Sequence, residues 1–300
     1  MDFEKVLVTG AGGLLGRYVV NELKSHASIT GLDIQDGEAV QHRGTIEDYE
    51  LVARACNGQD AVVHVAARPN IWSGSGSEIV QTNVTGTWNI LEAAERAGVR
   101  RVIITSSDSV VGYTVLEGAM IPPDYLPVDD AHPLRPTDPY ALSKLLGERM
   151  AQSYVMRGRL EVLVIRPVYV LYPEFEVEVR ARAADPEGYV GPAAGGRQPA
   201  GGGRLWHYVD PRDLARAYRL ALESRDLPFG AYFISGPNTL SPEPTVTRLE
   251  RLLGRPVSVR DTALYQERPF APAYDLSRAR EQLGYEPVHD FRETLVIETE

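Results

Sequence analysis

The chain alternates short apolar runs with longer segments in which apolar residues recur every three or four positions. The short runs are rich in valine and isoleucine and lack the polar alternation of a half-exposed strand, so they predict buried strands. Such runs are expected where helices cover both faces of a parallel sheet. The predicted strands are residues 5–9, 28–33, 61–66, 101–106 and 161–167.

The longer segments predict helices. The helix over 84–97 ends before Gly98, a residue that suits the position just after a helix. The helix that begins at Tyr140 has Asp138 as its predicted N-cap and Pro139 at its first position. The alternation of strands and helices predicts an α/β fold with a Rossmann-type doubly wound parallel sheet. The predicted helices are residues 14–25, 49–57, 84–97 and 140–157.

The pattern changes after Pro173, where we expect the chain to divide. We interpret residues 1–172 as a nucleotide-binding Rossmann domain to which later elements return, and residues 173–300 mainly as a small C-terminal substrate-binding cap. Two stretches rich in proline or glycine, 113–139 and 183–204, predict loops. Later helices are predicted over 212–224, 245–253 and 276–282, and a late strand over 231–236.

The composition narrows the class of protein. Of the 300 residues, 43% are hydrophobic and 24% charged, as in ordinary soluble proteins. The net charge of -10 and the lack of a basic run disfavour nucleic acid as a partner. The single cysteine, Cys56, leaves no disulfide or cysteine-based zinc site, and we expect no metal. No apolar run reaches the ~18 residues of a membrane span, and no signal-peptide pattern is seen. These observations favour a cytoplasmic enzyme.

A glycine-rich segment, VLVTGAGGLLG, follows the first predicted strand directly. Gly10, Gly13 and Gly16 are spaced three apart, and Leu14 and Leu15 open the next helix. A pyrophosphate needs a sharp turn from strand to helix, an approach to bare backbone and a helix N-terminus. We therefore predict that these five residues bind a nucleotide.

The second predicted strand ends at Asp33, about 20 residues beyond the glycines, where an acidic residue accepts hydrogen bonds from the adenosine ribose. The carboxylate would repel a 2′-phosphate, and Ile34 and Gln35 supply no cation to bind one. The sequence therefore favours NAD over NADP. Arg17, just after the last glycine, is the residue that would contradict this preference.

The segment PYALSK places Tyr140 and Lys144 one helical turn apart on the same face. An isolated tyrosine titrates near pH ~10 and is a poor base at neutral pH. A neighbouring lysine and the positive end of the helix both favour its phenolate form. Such pairs occur by chance on many helices, so this one is informative only together with the glycine-rich segment.

Motifs along nearly the whole chain resemble those of extended short-chain dehydrogenases/reductases, in the NAD-dependent epimerase/dehydratase family. The resemblance extends from about Lys5 to Pro287. Its most specific parts are the glycine motif and the Tyr-x-x-x-Lys element. The motifs are TGAGGLLG, VVHVAA, NVTGTWNILEAA, RVIITSSDSVVG, PYALSK, IRPVYVLYP, YVDPRDLARA and DLSRAREQLGYEP.

The resemblance implies a site for hydride transfer with NAD as cofactor. Tyr140 would be the general acid/base, and Lys144 would stabilise its phenolate and hold the nicotinamide ribose. Ser107 would bond the substrate oxygen, with Ser106 and Ser109 as alternatives. The cofactor would carry the redox chemistry, and the protein would supply geometry and electrostatics.

The resemblance also implies further contacts with the cofactor. One departure is Thr45, which stands where family members have an aspartate beside the adenine. Asn83 has capping of the following helix as an alternative role, and His64 is interpreted as a buried strand residue. The predicted contacts are Ile46 at the adenine, Ala66 and Ala67 along the cofactor, Asn83 at the nicotinamide side, and Pro167 with the backbone of Val168 at the nicotinamide amide.

The region expected to bind substrate departs from nucleotide-sugar epimerases of this family. Tyr169 stands where they usually have asparagine, and Arg268 matches a diphosphate-binding arginine but lacks the following Gly-Asp. A pocket formed by Tyr169, Trp206, His207 and Tyr208 would suit a smaller, unphosphorylated sugar-like substrate. The predicted substrate contacts are Ser107, Ser109, Tyr169, Arg204, Trp206 and Arg268.

We expect an NAD-dependent dehydrogenase that acts at a secondary alcohol or hemiacetal carbon of a free sugar or uronate. The alternative is a nucleotide-sugar 4-epimerase with tightly bound NAD. A non-catalytic dinucleotide sensor is disfavoured, because such proteins typically lack the tyrosine. The resemblance also implies a homodimer through the helices at 84–97 and 140–157. Trp88, Leu91 and Leu145 would form its apolar face, or would equally face the chain's own sheet.

Overall fold

A computed structural model describes residues 3–112, 121–177, 180–181 and 207–295. The predicted loop at 183–204 lies outside these residues, as does the 113–120 part of the loop at 113–139. The described part contains a sheet of seven parallel strands. The strands are β1 (Lys5–Thr9), β2 (Ser28–Asp33), β3 (His42–Arg43), β4 (Ala61–His64), β5 (Arg101–Thr105), β6 (Glu161–Pro167) and β7 (Phe229–Ile234).

Helices lie between and after these strands. A π-helical segment, Gln81–Thr85, joins the third helix to the fourth, and a 3-10 turn, Asp108–Val111, follows β5. The helices are α1 (Leu14–Leu23), α2 (Tyr49–Cys56), α3 (Gly76–Val80), α4 (Gly86–Ala97), α5 (Pro139–Met156), α6 (Pro211–Glu223), α7 (Thr245–Leu253), α8 (Thr262–Glu267), α9 (Ser277–Leu283) and α10 (Phe291–Leu295).

The predicted fold class is confirmed, and the differences lie mainly at element ends. The predicted strands at 61–66 and 101–106 end earlier, and the late strand begins and ends two residues before its predicted bounds. Four short elements were not predicted from the sequence: β3, α3, α8 and α10. Within the described residues, no helix is both long enough and apolar enough to cross a membrane.

The sheet separates two apolar cores, and side chains alternate between them along each strand. In β1, Val6 and Val8 belong to the core that includes Leu214 of α6. Leu7 belongs to the opposite core, which includes Ile90 of α4. This double burial explains why the strands are apolar without interruption.

The strand order, β3-β2-β1-β4-β5-β6-β7, reverses direction between β1 and β4. In open parallel sheets, ligands bind outside the carboxyl ends of the strands at such a reversal. The glycine-rich segment follows β1, and the Ala66 segment follows β4, so both lie at this point. After the predicted boundary at 172, β7 pairs with β6 and α6 packs on α1. These later elements return to the sheet, and the cap remains a prediction.

A buried ion pair joins α5 to the sheet. Arg166 of β6 donates from Nε and Nη2 to the two carboxylate oxygens of Glu148, at 2.9 and 2.7 Å. Both side chains are only 4% exposed. The Ser106 hydroxyl also donates to Glu148, at 2.6 Å. This network fixes α5 beside the ends of β5 and β6.

Candidate functional site

The glycine-rich segment forms a tight cradle between β1 and α1. Gly10 has a positive φ of 73°, and a Cβ on it would lie 2.8 Å from the Ala66 amide nitrogen. A Cβ on Gly16 would lie 1.8 Å from the Gly10 carbonyl oxygen. Gly13 caps α1 without a side-chain hydrogen bond to the first helical amides. An uncapped helix N-terminus beside bare backbone fits a pyrophosphate.

Leu14 and Leu15, which open α1, differ in their surroundings. Leu14 is 40% exposed at the mouth of the cradle, whereas Leu15 packs partly against the core. The nucleotide contacts predicted for both residues stay predictions.

Asp33 is held at the end of β2 beside this cradle. Its two carboxylate oxygens accept hydrogen bonds from the amides of Gly12 and Gln35, at 2.9 and 2.8 Å. The side chain is 7% exposed, and its position next to the glycines fits an adenosine ribose. Arg17 is exposed, and its positive charge acts on Tyr172, which follows β6. Arg17 therefore lies toward the β6 side of the site.

The residues predicted along the cofactor fall around the same edge of the sheet. Ile46 is buried and packs against Gly86 of α4. A side chain at position 86 would clash with Ile46, because a Cβ added to Gly86 would overlap it. The Ala66 amide donates to the Thr9 hydroxyl at 3.2 Å, and Ala67 follows it, partly buried. The side chain of Asn83 is fully engaged in hydrogen bonds with other residues of the protein.

The Asn83 amide joins two segments of the site. Its Oδ1 accepts from the Arg68 amide at 2.8 Å, and its Nδ2 donates to the Arg68 carbonyl and the Ser143 hydroxyl. The alternative role of helix cap is wrong, because Asn83 lies inside the π-helical segment and α4 has no side-chain cap. Asn83 instead ties the segment after β4 to α5.

Helix α5 begins as predicted. Asp138 is its N-cap and accepts from the Ala141 amide at 2.8 Å, and Pro139 is the first helical residue. Tyr140 therefore lies in the first turn. The Lys144 ammonium lies 5.6 Å from the centre of the Tyr140 ring and donates to the Thr105 carbonyl at 2.9 Å. The end of β5 thus holds Lys144 in place.

The structure brings Ser107 rather than Ser106 to Tyr140. Ser107 caps the 3-10 turn after β5, accepting from the Ser109 amide at 3.1 Å, and its hydroxyl acts on Tyr140, lowering the pKa of the phenol. Ser106 is committed to Glu148. Among the described residues, no partner bonds the buried Ser109 hydroxyl.

Burial shifts the pKa of both central groups away from the charged form. It raises the pKa of Tyr140, to which Asp108 and Asp138 add, while the hydrogen bond with Ser107 lowers it. Burial also lowers the pKa of Lys144 to about 8. The sequence predicted a stabilised phenolate, and this is wrong for the protein alone, since desolvation outweighs the helix N-terminus.

His64 is a structural residue, as predicted. It is buried in β4 between the Thr9 and Thr87 hydroxyls, at 2.8 and 3.2 Å. Burial and then the charge of Lys144 lower its pKa to about 3, so the ring is neutral. Across the described residues, no group of three or more His, Cys, Asp or Glu side chains is arranged to hold a metal ion.

The residues predicted to bind substrate are more scattered than the predicted catalytic residues. Tyr169, just after β6, is 37% exposed. Arg268 donates to the Pro237 carbonyl at 2.7 Å and lines a separate cavity of about 240 Å³. Arg204 and Trp206 lie outside the described residues.

His207 and Tyr208 are used within the fold. The Nε2 of His207 accepts from the Ala273 amide at 2.8 Å, and the Tyr208 hydroxyl donates to Asn238 at 3.0 Å. Both side chains are buried. Their polar atoms are therefore committed to contacts within the fold, and the pocket predicted for them stays a prediction.

At Pro167 and Val168, one backbone group already makes a hydrogen bond within the protein. The Val168 amide donates to the Ile234 carbonyl at 3.1 Å, next to the end of β6. A contact with the nicotinamide amide through this backbone would therefore use the Val168 carbonyl. Both residues are buried at the carboxyl edge of the sheet.

Sequence reasoning missed Asp108 and Tyr274. The Tyr274 hydroxyl donates to Asp108 at 2.9 Å, and Asp108 also accepts from Ser107 at 3.2 Å. Asp108 was visible inside the serine motif, but Tyr274 is 166 residues away and has no local signal.

The family model for the NAD dependent epimerase/dehydratase family matches residues 6–234. The chain belongs to this family. It is 31% identical to L-arabinose 1-dehydrogenase (NAD(P)(+)) of Haloferax volcanii over 188 residues, 61% of this chain and 72% of that one. It is 34% identical to uronate dehydrogenase of Pseudomonas syringae pv. tomato over 177 residues, 55% of this chain and 58% of that one.

Among solved structures, the fold resembles MoeE5 in complex with UDP-glucose and NAD, with a TM-score of 0.70 and 25% identity. That match covers 98% of this chain and 96% of MoeE5. The predictions of the family, of an NAD-dependent enzyme and of NAD as its cofactor are confirmed. The roles of the individual site residues remain predictions.

Asp33→Ala should weaken NAD binding and improve NADP relative to it. Loss of charge-assisted hydrogen bonds of about 1.5–3 kcal/mol corresponds to roughly a 10-fold to 100-fold loss of NAD affinity. Cofactor titrations followed by fluorescence would measure both affinities. Asp36→Ala is the matched control, because that exposed carboxylate lies three residues on and pairs with Arg43. An unchanged NAD/NADP ratio in Asp33→Ala would place the discrimination elsewhere.

Lys144→Met should stabilise the cofactor-free protein while abolishing most turnover. The lowered pKa shows that burying the ammonium costs free energy, at about 1.4 kcal/mol per pKa unit. The hydrogen bond to Thr105, worth about 1 kcal/mol, is lost, so we expect a net gain of about 1–2 kcal/mol near neutral pH.

Denaturant unfolding at several pH values would check the sign of this effect. In the wild type, the cost is present in full below the folded pKa of about 8 and disappears as pH rises toward the ordinary value for lysine. The advantage of Lys144→Met should therefore shrink at alkaline pH. A variant that is less stable at neutral pH would contradict this account.

Proposed function

We propose that the protein is an NAD-dependent dehydrogenase that oxidises a secondary alcohol or hemiacetal carbon of a free sugar or uronate. The observation that carries the proposal is the convergence of Ser107, Tyr140 and Lys144 at the carboxyl edge of the sheet. The glycine cradle follows β1 at the same edge, where open parallel sheets typically bind their ligands. The dehydrogenase names of two relatives agree with this reading.

The chain's own residues would perform the proton chemistry. Tyr140, once its own proton has left to solvent, would accept the proton of the substrate hydroxyl, and Ser107, which interacts with Tyr140, would hold the substrate oxygen beside it. Lys144, fixed by Thr105, opposes the negative charge that forms on the phenol. NAD, when bound, supplies the hydride acceptor. The glycine cradle and Asp33 would hold its pyrophosphate and its adenosine ribose.

Two features favour a free sugar over a nucleotide sugar. Arg268, the predicted diphosphate contact, is hydrogen-bonded to the Pro237 carbonyl. Tyr169, in place of the asparagine of related epimerases, remains half exposed at the end of β6. The second candidate is a nucleotide-sugar 4-epimerase, favoured by the likeness to MoeE5 with UDP-glucose over nearly the full length of both chains.

Freshly purified protein distinguishes these two candidates. An epimerase returns the hydride to its substrate and retains its cofactor, so denaturation would release stoichiometric NAD or NADH. A dehydrogenase exchanges its cofactor and would reduce added NAD with a member of a panel of free sugars and uronates. Tightly held nucleotide together with silence on that panel would overturn the dehydrogenase proposal.

Tyr140→Phe should reduce turnover by about 10²–10⁴-fold, because the ring remains but the proton acceptor is lost. NAD affinity should stay within about twofold of the wild type, since the hydroxyl is not part of the glycine cradle. Steady-state rates and NAD titration would measure both quantities. Tyr218→Phe is a control for loss of a buried hydroxyl, which there bonds Thr105. Near-normal turnover in Tyr140→Phe would remove Tyr140 from the mechanism.

We also propose a homodimer through α4 and α5. Trp88 on α4 is 44% exposed and packs edge-on against Tyr154 of α5, with ring centres 5.6 Å apart. Leu142 and Leu146, one turn apart on α5, are 42% and 38% exposed. Exposed apolar side chains grouped on neighbouring helices are typical of an interface.

This face differs from the predicted one in two residues. Leu91 is fully buried and Leu145 packs against a core, so both face the chain's own sheet. Of the three predicted residues, only Trp88 is exposed and can contribute to a dimer interface. Leu142 and Leu146 replace Leu91 and Leu145 in the proposed apolar face. The face is thus rotated around the axis of α5 from the position that the sequence indicated.

Leu142→Lys combined with Leu146→Lys should convert the dimer to a monomer, because two charges would be buried at its centre. Sedimentation would give the mass, and a thermal melt would show that the variant is folded. Val288→Lys is the control, since Val288 is a 63% exposed apolar residue outside α4 and α5. A wild-type monomer, or a double variant that still dimerises, would contradict this interface.

A further inference from the structure

Asp108 places a carboxylate beside the proposed catalytic residues, and the mechanism above does not use it. Its Oδ1 accepts from the Ser107 hydroxyl at 3.2 Å, and its Oδ2 accepts from the Tyr274 hydroxyl at 2.9 Å. These two hydroxyl donors fix the orientation of the carboxylate. A carboxylate has about four acceptor sites, and the residue is partly exposed.

Tyr274 is a rigid support for this carboxylate. Its side chain is 2% exposed, and its ring stacks on Phe233 with centres 4.8 Å apart. The ring of His207 packs edge-on against it at 5.0 Å, and the Ala273 amide fixes His207 in turn. The Tyr274 hydroxyl therefore remains where Asp108 needs it.

The charge of Asp108 reaches the reacting position. Asp108 is hydrogen-bonded to Ser107 and adds to the raised pKa of Tyr140, so its charge acts on the phenol that is proposed to contact the substrate oxygen. Burial raises the pKa of Asp108 itself to about 6, so the group is mainly ionised at neutral pH. The adjacent turn does not depend on it for its cap, because Ser107 accepts the Ser109 amide.

We propose that Asp108, supported by Tyr274, selects a neutral sugar over a uronate. Its carboxylate accepts a hydrogen bond from a substrate hydroxyl near the oxidised carbon and disfavours a substrate carboxylate through like-charge repulsion. The inference rests on the proposed dehydrogenase function and narrows its substrate class to neutral aldoses. A partly buried charge is weakly screened by solvent, so this repulsion acts across the width of a sugar ring.

Matched sugars test the inference. D-galactose with D-galacturonate, and D-glucose with D-glucuronate, differ only at C6, which carries a neutral CH2OH group in the sugar and a carboxylate in the uronate. The wild type should show the higher kcat/KM for the neutral member of each pair that it oxidises. Asp108→Asn keeps the shape but removes the charge. It should change the neutral-to-uronate ratio by about tenfold or more, losing rate on the neutral sugar and gaining rate on the uronate.

Two further variants separate this role from a structural one. Glu92→Gln is the matched control, because Glu92 also accepts from a tyrosine hydroxyl, that of Tyr154, at 2.7 Å near the far end of α5. It should leave the substrate ratio unchanged. Asp108→Ser, with a shorter neutral side chain, should shift the ratio in the same direction as Asp108→Asn and serves where the asparagine variant does not fold.

The outcomes distinguish a failure of the role proposed for Asp108 from a failure of the proposed dehydrogenase function. A wild type that prefers the uronate, or neutral variants of Asp108 that keep the wild-type ratio, would overturn the role of Asp108 and leave the dehydrogenase function standing. A wild type that oxidises no member of either pair, nor any other free sugar or uronate, would overturn the proposed function and this inference with it.

Discussion

The ion pair between Glu148 and Arg166 determines where α5 lies on the sheet, and the candidate site depends on that position. Both charges are buried, and removing one partner of such a pair typically costs about 3–5 kcal/mol. Helix α5 therefore cannot slide along β6 without leaving a charge unpaired. Tyr140 and Lys144 lie one to two turns before Glu148 on the same helix, so the pair positions them too.

The same burial that positions these groups works against their charged forms. Lys144 is held by Thr105 at the end of β5, yet its pKa is lowered, and the pKa of Tyr140 is raised. A fold selected only for stability would not place a lysine there. The site thus trades stability for an ammonium at a fixed position beside the phenol.

Local pattern was sufficient for the strands, the glycine cradle and the start of α5, because each depends on residues adjacent in sequence. It failed for β3, α3 and α8, which are too short to show a period. It also could not give the direction of the Tyr140 pKa shift, or the inward faces of Leu91 and Leu145. Those properties depend on burial, which the tertiary packing decides.

Substrate choice is the part of function that local motifs carry least. Ser107, Tyr140, Lys144 and the glycine cradle come from three short segments of the chain. Such motifs are common to a family whose members have different substrates. The contacts proposed to distinguish one sugar from another join distant segments, as Tyr274 joins Asp108 across 166 residues. Arg268 shows the same limit, because its motif predicts a diphosphate and its hydrogen bond goes to Pro237. The proposed role of Asp108 therefore rests on tertiary contacts and not on the motif that surrounds it.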